Sequence, residues 1–256
     1  MIDIHTHLLY GLDDGAETLD ETLAMLRLAS NSSTKELIFT PHIAEEFKFP
    51  IDLAVEKFKE VKEASAKAKI DIKLHLGFEV RLDKEIFAKH EFDFERLTIN
   101  KEEKYILVEF PFLDIPPYYK EIIKYITTSD ITPIIVHPLR NSRIIQNLSI
   151  IKELCSLGCL MQFNADDTRD PRSSGILLRL LKQNLVHFIA SDAHSIDMRP
   201  PILSNAYRFI EKRAGKKYAE GLFIENPRKV LEGDIIDDWG LQNGGFFDRI
   251  KDIFNR

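Results

Sequence analysis

The chain is poor in cysteine, lacks long apolar runs and carries no excess of basic residues. Cys155 and Cys159 are its only 2 cysteines, and no further soft ligand stands near them, so both are expected to pack as reduced thiols. Lys and Arg number 35 against 41 acidic residues, and the net charge of −6 disfavours a nucleic-acid partner. No charged-then-apolar leader opens the chain, and no apolar run approaches ~20 residues. We therefore expect a cytoplasmic protein without a membrane span.

The composition favours one α/β domain followed by a short tail. With 44% hydrophobic residues among 256, the chain can bury a sizeable core, and α/β barrels reach this size as a single domain. Residues 1–235 are expected to form that domain. Residues 236–256, which are rich in glycine, are expected to form a poorly organised C-terminal tail.

Strand-like and helix-like segments alternate along the chain. Apolar or alternating runs predict strands at the opening segment and at 36–40, 70–80, 105–110, 131–136, 159–164 and 186–190. Helical periodicity predicts helices at 18–29, 51–68, 118–126, 148–157, 174–183, 202–213 and 217–222. This alternation implies parallel strand pairing with helical crossovers.

Residues able to bind metal stand at the end of each predicted strand except 159–164. Active sites of α/β barrels form at the carboxyl ends of the strands, so these side chains are expected to converge. His5 and His7 illustrate the geometry, because alternate residues of an extended segment project from the same face. The candidates are His5, His7, Asp14, His42, Glu79, Glu109, His137, Asp192 and His194.

A cluster of this kind indicates multivalent cations. Buried carboxylates and imidazoles without a cation would leave costly unpaired polar groups. Nitrogen and oxygen donors without thiolate suit zinc, manganese or iron. His75, His90 and His187 have no such position and are expected to be structural.

Several motifs resemble those of the polymerase-and-histidinol-phosphatase (PHP) superfamily. They are Ile2-Asp3-Ile4-His5-Thr6-His7, Asp13-Asp14-Gly15, Thr40-Pro41-His42, His137-Pro138-Leu139-Arg140-Asn141 and Ser191-Asp192-Ala193-His194. The Gly11-to-Ala16 run and Arg199 are similar to the bacterial tyrosine-protein phosphatase branch, which is associated with capsule and exopolysaccharide synthesis. The resemblance covers roughly residues 1 to 232.

The resemblance implies a fold, a set of metal ions and a reaction. The fold would be a distorted (β/α)7 TIM-like barrel, and the three ions would be manganese, iron or zinc. By analogy, His5, His7, Glu79 and Asp192 would hold the first ion, Asp14, His42 and His194 the second, and Glu79, Glu109 and His137 the third. Arg140 and Arg199 match the branch's phosphate-binding arginines. The substrate would be a phosphotyrosine protein, a bacterial tyrosine kinase controlling polysaccharide synthesis.

The surroundings of the two cysteines indicate which nucleophile attacks the phosphate. Neither cysteine is followed by an arginine at the Cys-x5-Arg spacing, so attack by metal-bound hydroxide is favoured over a thiol-phosphate intermediate. Two alternatives remain open: a small-molecule phosphoesterase of the histidinol-phosphate kind, and a non-catalytic metal-binding regulatory module.

An aromatic and proline-rich segment follows Glu109, with Phe110-Pro111-Phe112 and then the run from Pro116 to Tyr119. It is equally consistent with a wall for a tyrosyl ring and with a loop packed on its own core.

Overall fold

Parallel strands form the framework of the protein. The computed structural model describes residues 1–82 and 94–236, so His90 and the predicted tail beyond Ile236 lie outside the described residues. The strands are β1 (Ile2–Thr6), β2 (Glu36–Phe39), β3 (His42–Ile43), β4 (Lys73–Leu76), β5 (Glu79–Arg81), β6 (Tyr105–Glu109), β7 (Thr132–Val136), β8 (Leu160–Asn164) and β9 (Phe188–Ala190). They pair in the orders β1-β2-β4 and β3-β5-β6-β7-β8-β9, and every registered pair is parallel.

Two strands of the second sheet, β3 and β5, continue strands β2 and β4 of the first sheet. β3 begins 3 residues after β2 ends, and β5 begins 3 residues after β4 ends, so each pair is one interrupted strand. The segments therefore occupy seven strand positions, as predicted. The first and last positions meet where Thr6 bridges Ala193 and where the His7 N–H donates to the Ala193 carbonyl at 2.8 Å. The predicted distorted α/β architecture is confirmed, with a seam of isolated contacts between β1 and β9.

Each interruption falls at a residue with a special backbone or packing requirement. Pro41 has no N–H to donate to a ladder and separates β2 from β3. Gly77 separates β4 from β5 at a close approach, where an added Cβ would lie 2.9 Å from the Ile99 Cγ1. Beyond the breaks, His42 pairs with Glu79 across β3 and β5. The interruptions thus set two candidate ligands side by side.

Helices connect the strands. They are α1 (Leu19–Asn31), α2 (Ile51–Lys67), α3 (Tyr119–Thr128), α4 (Ser142–Gln146), α5 (Ser149–Ser156), α6 (Pro171–Leu181), α7 (Ser204–Ala214), α8 (Lys216–Glu220) and α9 (Asn226–Glu232). The predicted helices are present with shifts of a few residues at their ends, whereas α4 and α9 were not predicted. None of the helices in the described ranges has the length and apolar character needed to span a bilayer.

The helix α9 packs against the amino-terminal parts of several strands. Val230 and Leu231 of α9 are buried in one cluster with Ile2, Ile38 and Phe188. Just beyond α9, the Asp234 carbonyl accepts a hydrogen bond from the Tyr105 hydroxyl at the start of β6. The carboxyl ends, where the candidate ligands lie, are thereby left as the accessible edge.

Candidate metal centre

All nine candidate ligands come together at the carboxyl ends of the strands. Their donor atoms fall into four overlapping groups, each compact enough to surround one ion. The groups are His7, Asp14, His42 and His194; His5, Glu79 and His137; His5, His7 and Asp192; and His42, Glu79 and Glu109. Residues from six of the seven strand positions therefore meet at one place.

Glu79 lies at the centre of this cluster. Its Oε2 is 3.0 Å from the Nε2 atoms of both His5 and His7, and 3.1 Å from His42 Nδ1. Its Oε1 is 2.9 Å from His137 Nε2. Burial acts to raise the pKa of Glu79, but the surrounding imidazoles, His5 foremost, hold it well below its usual range. The position suits the bridging role that the resemblance implies.

Two aspartates lie beside the histidines and differ in exposure. The Asp14 Oδ1 lies 3.5 Å from His42 Nε2 and 3.4 Å from His194 Nε2, with its side chain 52% exposed. The Asp192 Oδ1 lies 3.5 Å from His5 Nε2 and from His7 Nε2, and its side chain is buried. Asp14 therefore marks the side of the cluster that is open to solvent.

The third implied ligand set overlaps two of these groups. The resemblance places Glu109 and His137 on one ion with Glu79. Here Glu109 groups with His42 and Glu79, while His137 groups with His5 and Glu79. Glu109 nevertheless lies between the two histidines, because its Oε1 is 3.8 Å from His137 Nε2 and its Oε2 is 3.9 Å from His42 Nδ1.

Unpartnered polar atoms show that the cluster fits cations. The buried polar atoms of the described residues that lack a hydrogen-bond partner include His42 Nδ1, Glu109 Oε2 and Asp192 Oδ1. The 3.1 Å approach of Glu79 to His42 Nδ1 is an ion-pair distance without hydrogen-bond geometry. Such atoms are expensive to bury unless another charge satisfies them. Burial lowers the pKa of His42 to about 4, so its imidazole is neutral, the form that binds a metal. Burial and the charge of Glu79 raise the pKa of Glu109 to about 9, a cost that a cation would remove.

Asp13 supports the cluster although it was not among the predicted ligands. Its Oδ2 accepts hydrogen bonds from His7 Nδ1 at 2.7 Å and from the His42 backbone N–H at 3.0 Å. Its Oδ1 accepts from the Gly15 N–H at 3.1 Å. The paired aspartates of the Asp13-Asp14-Gly15 motif were the available signal, since a metal-ligating histidine commonly donates its second N–H to a carboxylate.

β8, the strand position without a ligand, contributes two amides instead. Gln162 Oε1 lies 2.9 Å from His5 Nδ1, and Gln162 Nε2 donates to Asn164 Oδ1 at 3.0 Å. The Asn164 Nδ2 then donates to Asp192 Oδ2 at 2.9 Å. Because the amide oxygen accepts from His5 Nδ1–H, the Nε2 of His5 is left facing Glu79. The shared parity of Gln162 and Asn164 was visible in the sequence, but amides are not the residue types sought for metal ligation.

Both predicted arginines reach the same centre. Arg140 Nη2 lies 2.7 Å and Arg199 Nη1 lies 3.2 Å from Asp192 Oδ2. Arg140 belongs to a single 3-10 turn, Pro138–Arg140, directly after His137. Arg199 closes a short loop in which its carbonyl accepts the His194 N–H at 3.0 Å. Two guanidinium groups therefore flank one edge of the ligand cluster.

His75, His187 and the two cysteines lie elsewhere in the described structure. His75 Nε2 is 2.9 Å from Glu36 Oε2, and His187 Nδ1 accepts the Met161 N–H at 3.0 Å. Burial raises the pKa of Cys155 to about 12, so this thiol stays protonated. These contacts agree with the structural roles expected for them.

A parallel α/β fold with clustered nitrogen and oxygen ligands at the strand ends defines a metal-dependent hydrolase of the PHP and TIM-barrel-like class. Residues 1–232 match the family model described as "Capsular polysaccharide synthesis, CpsB/CapC", and the chain belongs to this family. The expected branch of the superfamily is thereby confirmed.

Named relatives extend over nearly the whole chain. The chain is 34% identical over 242 residues to the putative tyrosine-protein phosphatase CapC of Staphylococcus aureus, covering 92% of this chain and 93% of CapC. It is 31% identical over 248 residues to the tyrosine-protein phosphatase CpsB of Streptococcus pneumoniae, covering 92% and 100%.

Solved structures agree with this placement. A structure from the work on Bacillus subtilis YwqE and Streptococcus pneumoniae CpsB, described as unique metal-dependent tyrosine phosphatases, has a TM-score of 0.84 at 29% identity and covers 92% of this chain and 96% of the other. Histidinol phosphate phosphatase of Lactococcus lactis has a TM-score of 0.55 at 17% identity, covering 83% and 93%. The latter likeness concerns the fold alone.

Proposed function

We propose that this chain is a metal-dependent protein-tyrosine phosphatase, a phosphoric monoester hydrolase acting on a phosphotyrosine protein. The observation that carries the proposal is the convergence of nine nitrogen and oxygen ligands, three with unpartnered buried atoms, beside two arginines. Family membership and the named relatives support the same reaction.

The ligand cluster would hold three ions of manganese, iron or zinc. The residues assigned to them are His5, His7, Glu79 and Asp192; Asp14, His42 and His194; and Glu79, Glu109 and His137. Such ions lower the pKa of a coordinated water and offset negative charge on the phosphoryl oxygens. Glu79 would connect the separate sets, and its contacts with four imidazoles support this role.

Arg140 and Arg199 bind and orient the phosphate. Each guanidinium carries five N–H donors and can form paired hydrogen bonds to phosphate oxygens. Their shared contact with Asp192 Oδ2 holds both groups at the edge of the cluster. Phosphate bound there lies between the arginines and the ligands, where its charge is compensated from both sides.

The physiological substrate is proposed to be a bacterial tyrosine kinase of the capsule or exopolysaccharide system, dephosphorylated in the cytoplasm. The capsular family description supports this system, and the names of the relatives support phosphotyrosine as the group removed.

The test is phosphate release from a phosphotyrosine peptide and from histidinol phosphate, with added manganese and then with a chelator. We expect turnover that favours the peptide and falls about a hundredfold or more on chelation, because charge stabilisation in the site is lost. Preference for histidinol phosphate would instead support a small-molecule phosphoesterase. The His42→Ala variant completes the test. If the parent shows no activity and the variant only loses stability, the site would belong to a regulatory module.

A further inference from the structure

Exposed apolar side chains occur in two loops that follow strands carrying candidate ligands. Among residues 1–82 and 94–236, the prominently exposed large hydrophobic residues include two pairs in the loops that follow β6 and β9. These are Phe112, exposed by 51%, Leu113 by 82%, Ile196 by 40% and Met198 by 82%. We call these four residues the apolar rim. Apolar groups gathered beside a site commonly mark a binding surface.

The first half of the rim is fixed next to Arg140. The Ser142 N–H donates to the Phe112 carbonyl at 2.8 Å, and the Ser142 hydroxyl donates to the Leu113 carbonyl at 2.7 Å. The Asn141 amide donates to the carbonyls of Pro111 and Asp114 at 2.6 and 3.0 Å. The backbone beneath Phe112 and Leu113 is therefore held in place while their side chains face solvent.

The second half is fixed next to Arg199. The Ser195 hydroxyl accepts the N–H groups of Met198 and Arg199 at 3.2 and 3.4 Å. The Arg199 carbonyl accepts the N–H groups of His194 and Ser195 at 3.0 and 3.3 Å. Ile196 and Met198 thus lie in a tight loop whose two ends are a candidate ligand and a candidate phosphate-binding residue. A preformed surface of this kind costs little ordering entropy when it binds a partner.

We propose that the apolar rim binds apolar residues that flank the phosphotyrosine in a peptide substrate. This inference rests on the proposed function, because it takes the phosphate to lie between the arginines and the ligands. A small phosphate ester ends inside the site, whereas a polypeptide carrying phosphotyrosine must cross the loops around it. The charges beside Phe112 and Leu113 compensate each other, since Arg143 Nε lies 3.1 Å from Asp114 Oδ1. Apolar contact is therefore what this part of the rim offers a peptide.

The test compares two double variants, Phe112→Ser with Leu113→Ser and Ile196→Ser with Met198→Ser, with the parent. The substrates are a phosphotyrosine peptide with leucine on both sides of the phosphotyrosine, the same peptide with serines there, and p-nitrophenyl phosphate. For each double variant we expect kcat/KM on the leucine peptide to fall about tenfold, mainly through KM, because buried apolar area is lost. The serine peptide and p-nitrophenyl phosphate should change by less than about twofold, since no apolar flank is bound.

Ile235→Ser is the matched control. Ile235 is 78% exposed, and its neighbour Asp234 contacts the start of β6, at the far end of the strands. This variant should match the parent on all three substrates.

Equal losses on all substrates, or no loss on the leucine peptide, would overturn the inference. If a double variant changes the oligomeric state but keeps kcat/KM on the leucine peptide, the rim binds a second copy of this chain. That result would also overturn the inference. If the parent releases phosphate from none of the substrates, the proposed function itself fails.

Discussion

At the scale of single residues, the candidate centre depends on side chains that would not touch an ion themselves. Asp13 is the clearest case, because one carboxylate oxygen accepts from both the His7 ring and the His42 backbone. Burial acts to raise the pKa of Asp13, but the neighbouring His7 imidazole outweighs it and keeps the pKa below the usual value. Asp13 is therefore an ionised acceptor that fixes the orientation of two candidate ligands.

Asp13→Asn should weaken metal binding while leaving the fold intact. An amide offers one acceptor oxygen where the carboxylate offers two, so either the His7 ring or the Gly15 N–H loses its partner. We expect metal affinity to fall about ten- to a hundredfold, measured by manganese titration against a competing chelator. Asp20→Asn, in the exposed first turn of α1, makes the same charge change away from the site and should bind as the parent does. Equal affinities for the two variants would contradict the role of Asp13.

At the scale of elements, the loop from Gly11 to Ala16 sets the position of Asp13 and Asp14. It folds back on the end of β1, where the Ala16 N–H donates to the His7 carbonyl at 3.0 Å. At Gly15, an added Cβ would lie only 1.8 Å from that carbonyl oxygen. A side chain at this position would force the loop away from β1.

Gly15→Ala should therefore impair metal binding and activity together. Displacing the loop moves Asp14 from His42 and His194 and breaks the Asp13 contacts, so we expect metal content after dialysis to drop. Overpacking of this kind costs about 1–3 kcal/mol, which thermal unfolding would detect. Gly175→Ala is the control, because nothing lies within 4 Å of an added Cβ in α6 and alanine favours a helix by about 0.5–1 kcal/mol. Full metal content in Gly15→Ala would show that the loop tolerates displacement.

Most helices and strands could be predicted from the sequence because the apolar patterns that specify them are local. The buried strand β6, for example, is a continuous apolar run that ends in Glu109, a residue able to bind metal. The helix α4 was not predicted because it spans only 5 residues and depends on the Asn141 side chain, which accepts from the N–H groups of Arg143 and Ile144. The break between β4 and β5 likewise depends on Ile99, a residue distant in sequence from Gly77.

At the scale of the whole molecule, the candidate centre exists only when the strands are assembled. His5 and Asp192 come from opposite ends of the chain, and they meet where β1 joins the segment after β9. The predicted ligand positions converged because parallel strands share one carboxyl edge. Which donor atoms approach one another most closely was not predictable from sequence, since distances below about 4 Å between side chains depend on register and rotamer. Metal binding and folding should accordingly be coupled.

His187 links β8, β9 and α9, and it connects the stability of the assembled fold to pH. The ring Nδ1 of His187 accepts the Met161 backbone N–H, and the backbone N–H of His187 donates to the Met161 carbonyl. The His187 backbone carbonyl accepts from the Asn226 side-chain amide. Burial lowers the pKa of His187 to about 4 from an ordinary value of 6.5. Between these values the unfolded chain binds a proton that the folded chain excludes, so stability is lost as the pH falls from 6.5 towards 4.

His187→Asn should flatten this acid dependence. The asparagine oxygen can accept the Met161 N–H in place of Nδ1 but does not titrate, so the variant lacks the proton-linked loss. We expect the parent to lose about 2–3 kcal/mol more than the variant between pH 7 and pH 4, in urea unfolding with a chelator present. The candidate ligand histidines are identical in both proteins, so their own titration cancels in the difference. Parallel stability curves would mean that His187 is already protonated in the folded state, and that the Met161 N–H is not what holds its ring.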